Sequence, residues 1–408
     1  MRQPTLTIFY QFNPWNPSIG GIQTCIRSVI KYAPKEFQIR LVGTGGNDSA
    51  KQIGRWQDVE LYGREFQFMP LIQVQNDNVR GVVPTTLKYT QALLGRDFSS
   101  DFLQFHRIEP TLVSSRLSGT KIFYIHNDIE QAVKGASKEG GIFWRHFPWA
   151  YFALERHLVS RFDRILSCNT KAADSYRHRY PDVADRVSYL PNTVDSDLFY
   201  PLSLDEQQMK RQELATKLGL AKDTQFILFA GRIHPQKQPL LLIRSFAALN
   251  EPQAHLLIVG QGELEEDVRA EIAQLGLSNR VTLMPPLQQS QLADLYRVSN
   301  IFVLTSAYEG LCRGSIEALA CGTPVVTTRA GETPNFLTSD SGIVCDDQTP
   351  GAIADAWRRV LKHPADYPSQ ACIRVVKPYA AHHIVHNIYS ELLERWQSSQ
   401  HQSLEPCL

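Results

Sequence analysis

Short apolar runs of four to six residues recur along this chain, most of them followed by a polar loop and a stretch in which apolar positions return every three or four residues. Runs of that kind read as strands buried on both faces of a parallel sheet, and the intervening period reads as helices packed on it. In the first half the predicted strands are LTIFY (6–10), IRLVG (39–43), KIFYIH (121–126) and RILSC (164–168). Helical periodicity covers Trp144 to Arg161 and resumes at Thr170, and VSYLPNTVDSDLFY (187–200) adds a strand and a Pro/Asn/Asp turn. Between Gly46 and Lys88 the pattern predicts no element. A polar helix over Glu206 to Leu218 reads as the linker region. A second series follows, with strands FILFAGR (226–232), HLLIVG (255–260), VTLMP (281–285), IFVLT (301–305) and PVVTT (324–328), and helices over Leu264 to Leu275 and Gln289 to Val298. The last predicted helix, Ala380 to Trp396, has no strand after it.

This βα rhythm predicts an α/β chain of two doubly wound domains. The boundaries it suggests are 1–203 for the first domain, joined by a terminal helix over 376–400, and 204–375 for the second. At 408 residues the chain suits two domains of roughly 200 residues, each large enough for a real core. A formal net charge of +1 gives no reason to expect nucleic acid as a partner. Seven cysteines with no C-x-x-C pair argue against a disulfide framework and against a structural zinc site, which favours a reduced, cytoplasmic setting. No apolar run approaches the roughly 20 residues of a membrane span. Peripheral contact with the inner face of a membrane stays open through the aromatic and basic segment 141–161, for which core packing of a long helix is the other reading.

The densest candidate chemistry lies in FVLTSAYEGLCRGSIEALACGTPVV (302–326). Glu309 falls in the loop leaving a strand and Glu317 in the first turn of the helix that Gly314 and Ser315 open, with seven residues between the two acids. Both can face the crevice at the carboxyl edge of the sheet, where open α/β folds bind ligands. Carboxylates accept from sugar or ribose hydroxyls, and the free backbone N–H groups around Arg313 favour an anion. Upstream, GRIHPQKQP places Arg232 and Lys237 after the first strand of the second domain, where two fixed cations suit a diphosphate. Read alone, the acids are also compatible with a solvated loop, and the Arg and Lys with a surface pair.

Together these residues resemble the donor-site signature of retaining glycosyltransferases of family 4, the group 1 glycosyl transferases. The resemblance covers nearly the whole chain and implies the GT-B fold: two facing Rossmann-like domains, with a C-terminal helix crossing back to the N-terminal one. It implies a nucleotide-sugar donor, a glycan or lipid-linked acceptor, and no cofactor or metal. Residues it implies for the chemistry are Arg232, Lys237, Glu309 and the strand-end histidine His126, which is followed by Asn127. Its donor-binding positions are Gly20 and Gly21 within SIGGI, Asn192 in LPNTVD, Gly231, Arg232, Lys237, Gly260 in IVGQGE, Glu309, Gly310, Leu311, Cys312, Arg313, Gly314 and Glu317. Thr193 stands where glycine is commoner in that turn. GETPNF (331–336) resembles the loop that follows PVV, and His106, Arg107 and Glu109 are assigned to the acceptor side. The expected reaction is transfer of a hexosyl-type sugar with retention, in polysaccharide or glycolipid assembly. A phosphorylase, a nucleotide-sugar epimerase or a silent nucleotide-sugar-binding protein would share the same cleft. His382 and His386, four apart in a helical stretch, read as surface residues because no third metal ligand is placed near them.

Overall fold

The computed structural model describes residues 2–15, 20–46, 52–74, 84–126 and 147–402. They fall into two compact units: one comprises the chain up to residue 126 together with 147–191 and 381–402, and the other comprises 192–380.

The first unit runs β1 (Thr5–Phe9), α1 (Gly21–Lys31), β2 (Gln38–Gly45), β3 (Gln57–Leu61), β4 (Arg64–Gln73), α2 (Thr85–Leu93), β5 (Phe102–Phe105), β6 (Thr120–Ile125), α3 (Pro148–Val159), β7 (Arg164–Ser167), α4 (Thr170–Arg179) and β8 (Val187–Tyr189). Its sheet has the order β3-β4-β2-β1-β5-β6-β7-β8, parallel except for the β3–β4 hairpin. That hairpin occupies the stretch 46–88, for which the pattern predicts nothing. Its turn is Tyr62-Gly63, both at positive φ (54° and 74°), a left-handed pair usually signalled by Asn-Gly. The predicted helix start at Trp144 lies outside the described residues, and the helix seen there begins at Pro148.

The second unit contains α5 (Leu204–Lys217), β9 (Gln225–Ala230), α6 (Pro239–Leu249), β10 (Ala254–Val259), α7 (Glu265–Gln274), β11 (Val281–Met284), α8 (Gln289–Val298), β12 (Ile301–Leu304), α9 (Arg313–Ala320), β13 (Val325–Thr328), the short α10 (Thr333–Phe336), β14 (Gly342–Cys345), α11 (Pro350–Lys362) and α12 (Ser369–Val376). Its strands are all parallel in the order β11-β10-β9-β12-β13-β14, the doubly wound arrangement with its switch point between β9 and β12. Every residue of β10, β12 and β13 is buried, as continuous apolar strands covered on both faces require.

The chain leaves the first unit after Pro191, twelve residues before the boundary read from the sequence. Residues 194–200 are bound to the second unit: Val194 N–H donates to Tyr379 O at 2.8 Å, and Arg297 Nε donates to Tyr200 O at 3.0 Å. The helix read as a linker is likewise packed. α5 starts with a capping box between Ser203 and Glu206, and it docks on α8 through Gln207 Nε2 to Arg297 O (2.7 Å) and Arg211 Nε to Val298 O (2.9 Å).

The terminal helix α13 (Ala381–Gln402) packs on the first unit, as expected. Val385, Tyr389 and Leu392 enter a core that includes Ile26, Ile30, Phe37 and Phe102, and the Tyr389 hydroxyl donates to Val29 O at 3.0 Å. His382 and His386 are exposed on its outer face. Among the described residues, no helix is long and apolar enough to cross a membrane, and the cysteines are free thiols.

Candidate functional site

The switch point of the second sheet brings the loop after β9 against the loop after β12. They are stitched together by backbone and side chain: Ala307 N–H donates to Gln236 O (2.9 Å), Gln236 Nε2 to Tyr308 O (3.0 Å) and Thr305 Oγ to Lys237 O (2.8 Å). Gln238 adopts the left-handed conformation (φ 47°), which lets Pro239 open α6 immediately after Lys237. The result is a direct ion pair in which Lys237 Nζ donates to Glu309 Oε1. The two side chains are only 13% and 9% exposed. Burial pulls the Lys237 pKa down, but the adjoining Glu309 carboxylate outweighs it and leaves the ammonium above its ordinary range. Arg232 sits exposed on the same loop, 3.4 Å from Gln236 Oε1.

Gly331 backs this pair. At φ +67°, a Cβ there would lie 2.2 Å from Gly310 O and 2.6 Å from Glu309 Cβ, so only glycine lets the 331–336 loop lie against Glu309. Glu332 N–H then donates to Gly310 O at 2.9 Å. Gly260, after β10, does the same beside the cation loop: at φ +148° its Cβ would collide with Gly231 O at 1.9 Å. Asn192 donates its amide to Leu311 O at 2.8 Å, so the side chain expected at the donor is committed to holding the 310–313 loop.

α9 begins at Arg313 with Cys312 as its N-cap, one residue before the start read at Gly314, so Glu317 is the fifth helical residue and opens the second turn. Glu317 is 5% exposed and burial pushes its pKa up, opposed by Arg313 and by the Tyr296 hydroxyl at 3.4 Å. Arg313 is 9% exposed, lies 3.7 Å from Glu317 Oε1, and none of its three guanidinium nitrogens has a hydrogen-bond partner among the described residues. A buried guanidinium so placed, beside the N-terminus of a helix, is set up for an anion. Thr305, Gln236 and Tyr296 are not among the residues the sequence points to, and Gly331 is noted there only as the head of the GETPNF loop. Only Gly331 carries a signal there, as a glycine heading the loop after PVVTT.

In the first unit, Gly20 is the extended N-cap of α1 and Gly21 its exposed first residue, while Ser18 and Ile19 lie outside the described residues. His126 directly follows β6, and its Nε2 lies 2.7 Å from His106 Nδ1. His106, assigned from sequence to the acceptor side, is instead 3% exposed and enclosed by Gln104, Tyr124 and His126. Arg107 is exposed beside Tyr10, and Glu109 opens the turn that follows.

Residues 210–373 match the family model described as glycosyl transferases group 1. The match lies wholly within the second unit. A D-inositol 3-phosphate glycosyltransferase of Xylanimonas cellulosilytica is 31% identical over 212 residues, covering 51% of this chain and 50% of that protein. The enzyme of the same name from Mycolicibacterium smegmatis is 32% identical over 218 residues, 52% of this chain and 48% of its own. The chain thus spans about half the length of the curated relatives it matches. Among solved structures, sucrose-phosphate synthase from Thermosynechococcus elongatus superposes with a TM-score of 0.77 at 17% identity, over 97% of this chain and 100% of that one. Anabaena HepE in complex with UDP-glucose gives 0.70 at 17% identity, over 96% of this chain and 100% of that one. These likenesses show the GT-B fold that the group 1 motifs imply.

Proposed function

We propose that this chain is a retaining glycosyltransferase that moves a hexosyl-type sugar from a UDP- or GDP-linked donor to an acceptor hydroxyl of a glycan or lipid-linked glycan, in polysaccharide or glycolipid assembly. The observation that carries the reading is the buried Lys237–Glu309 pair at the sheet's switch point, inside the segment that matches the group 1 family. Support comes also from the names of the relatives, glycosyltransferases acting on an inositol phosphate, and from a neighbour solved with UDP-glucose.

In this reading Arg232 and Lys237 hold the diphosphate. Negative charge grows on it as the glycosidic bond breaks, so cations fixed in advance stabilise the transition state more than the ground state. The same two charges make the reaction independent of a divalent metal and of any cofactor. Glu309 exchanges its bond to Lys237 for the sugar hydroxyls as the phosphate arrives, and Glu317 accepts from the ribose. His126 hydrogen-bonds the transferred sugar. The leaving phosphate oxygen takes the acceptor proton on the same face, which gives retention without a protein nucleophile. The setting is cytoplasmic, with peripheral contact at the inner membrane face.

A donor screen tests this: UDP-glucose, UDP-galactose, UDP-GlcNAc and GDP-mannose in chelator, with nucleoside diphosphate release read beside Glu309→Ala and Lys237→Ala. Release from one donor that both variants lose supports the transferase. No release from any of them, together with no binding of UDP or GDP, refutes it.

A further inference from the structure

Strands of a parallel sheet that is covered on both faces are apolar on both. One face of the first unit's sheet departs from this at its amino edge. The register sets Thr5 beside Gln38, Thr7 beside Arg40 and Arg40 beside Gln67, so β1, β2 and β4 present two threonines, two glutamines and an arginine on one face. The alternate residues of the same strands, Leu6, Ile8, Ile39, Leu41, Phe66 and Phe68, belong to the core. Toward the carboxyl ends the polar face itself turns apolar, with Phe9, Val42 and Met69 buried. The polar patch is therefore local, and it lies at the opposite end of the strands from His126, which follows β6.

A cavity of about 550 Å³ lies against this patch. The described residues that line it are all polar: Arg2, Gln3, Thr5, Gln38, Arg40, Ser99 and Ser100. None of them is acidic. Arg40 is fixed from behind, its Nε donating to Gln67 Oε1 at 3.1 Å and its guanidinium carbon 5.5 Å from the centre of the Trp56 ring. Gln38 Nε2 donates to the same Gln67 oxygen at 3.4 Å, and Gln38 Oε1 accepts from the Thr5 hydroxyl at 3.2 Å. Among the described residues, the two Nη nitrogens of Arg40 make no hydrogen bond and no carboxylate pairs with them.

The carboxylates bonded to lining residues are engaged elsewhere. Asp101 accepts from Arg2 Nη2 (2.9 Å), Thr5 N–H (2.9 Å) and Trp396 Nε1 (3.2 Å), which anchors Arg2 at the cavity. Asp97 Oδ1 accepts from the Ser99 N–H (2.9 Å) and hydroxyl (2.6 Å). Ser100 Oγ donates to Phe102 O at 2.8 Å, so both serine hydroxyls have lone pairs left for a ligand and no proton. A planar guanidinium held in place with both Nη groups unbonded matches a tetrahedral oxyanion bidentately. Serine oxygens beside it suit a ligand that also carries hydroxyl groups.

We infer that this cavity binds a small hydroxylated molecule bearing a phosphate or sulfate group, with the oxyanion on Arg40 and Arg2 and the hydroxyls on the serine oxygens. The site is separate from the transfer chemistry and does not rest on it.

The test is titration calorimetry on the full chain in about 0.15 M salt, where long-range attraction is screened. The probes are glycerol 3-phosphate, inorganic phosphate, inorganic sulfate and glycerol. Arg232→Met/Lys237→Met serves as the parent, so that phosphate held at the switch point of the second unit does not count. Glycerol 3-phosphate should bind once per chain and more tightly than either inorganic ion, and glycerol should not bind. The tighter of phosphate and sulfate names the ester. Arg40→Gln should weaken binding at least tenfold. Gln38→Glu keeps the side-chain volume but sets a carboxylate beside Arg40, so it should abolish binding with Tm unchanged, and it carries the test if Arg40→Gln fails to fold. In the otherwise wild-type chain, Gln38→Glu should leave UDP and GDP affinity within a factor of two. No binding of any oxyanion probe, equal affinity in the parent and Gln38→Glu, or glycerol bound as tightly as its phosphate overturns the inference.

Discussion

Replacing Glu309 by Gln removes one charge from a pair that is almost wholly enclosed by the second unit. At hydrogen-bond contact and an effective dielectric of about 20, two unit charges attract by roughly 5–6 kcal/mol, set against the cost of taking both out of water. Breaking one side of such a pair leaves an uncompensated buried charge, at about 3–5 kcal/mol. For a unit of this size that is a fall of about 6–20 °C in Tm. The Lys237 pKa, raised in the intact protein, should drop once burial acts unopposed. Glu309→Gln/Lys237→Met, which removes both charges, should recover most of the loss, because apolar groups of similar volume replace buried ion pairs at little cost. Nucleoside diphosphate should stabilise Glu309→Gln more than it stabilises the wild type, since phosphate then finds an ammonium that is not already paired. The assay is differential scanning calorimetry of the wild type, the two single variants and the double variant, with and without UDP or GDP. Additive single-variant losses in the double variant, or a Glu309→Gln Tm equal to that of the wild type, would mean that Lys237 and Glu309 do not compensate each other's burial.

Four further expectations follow from other contacts. Gly331→Ala forces a Cβ onto Glu309 at a left-handed position, so it should lower turnover at least 10-fold and destabilise by about 1–3 kcal/mol, read by kinetics and urea melts. Burial raises the Glu317 pKa, so the free chain should lose stability as pH climbs through that raised value, the stabilisation being complete below the ordinary carboxyl range. Nucleotide affinity, which needs the ionised carboxylate, should rise over the same window, and calorimetry of Glu317→Gln should show neither dependence. Leu392→Ala should cost the first unit about 2–5 kcal/mol, because α13 supplies part of that core. Ser203→Ala should cost about 0.5–2 kcal/mol by removing the cap of α5, with no effect on nucleotide binding.

The sequence made the second unit more legible than the first for a physical reason. Its inner strands are buried on both faces and so read as apolar runs, and the residues that carry charge, Arg232, Lys237 and Glu309, lie in the loops that leave β9 and β12. β3 and β4 were not legible, because β3 is half-buried and polar, Pro70 interrupts β4, and the turn uses Tyr62-Gly63. The start of α9 lies one residue ahead of Gly314, because the Cys312–Arg313 boundary carries none of the usual cap residues. Asn192 and His106 illustrate a different limit: their residue types were noticed, but their partners, Leu311 O and His126, depend on tertiary contacts that spacing alone does not encode.

Titration calorimetry of UDP and GDP in chelator decides whether the switch-point loops of the second unit form a nucleoside diphosphate site. One of the two should bind the wild type, and Arg232→Met/Lys237→Met should weaken it at least tenfold while the protein stays folded. Binding of neither nucleotide at millimolar concentration, or equal affinity in the wild type and the double variant, would mean that these loops hold no such site.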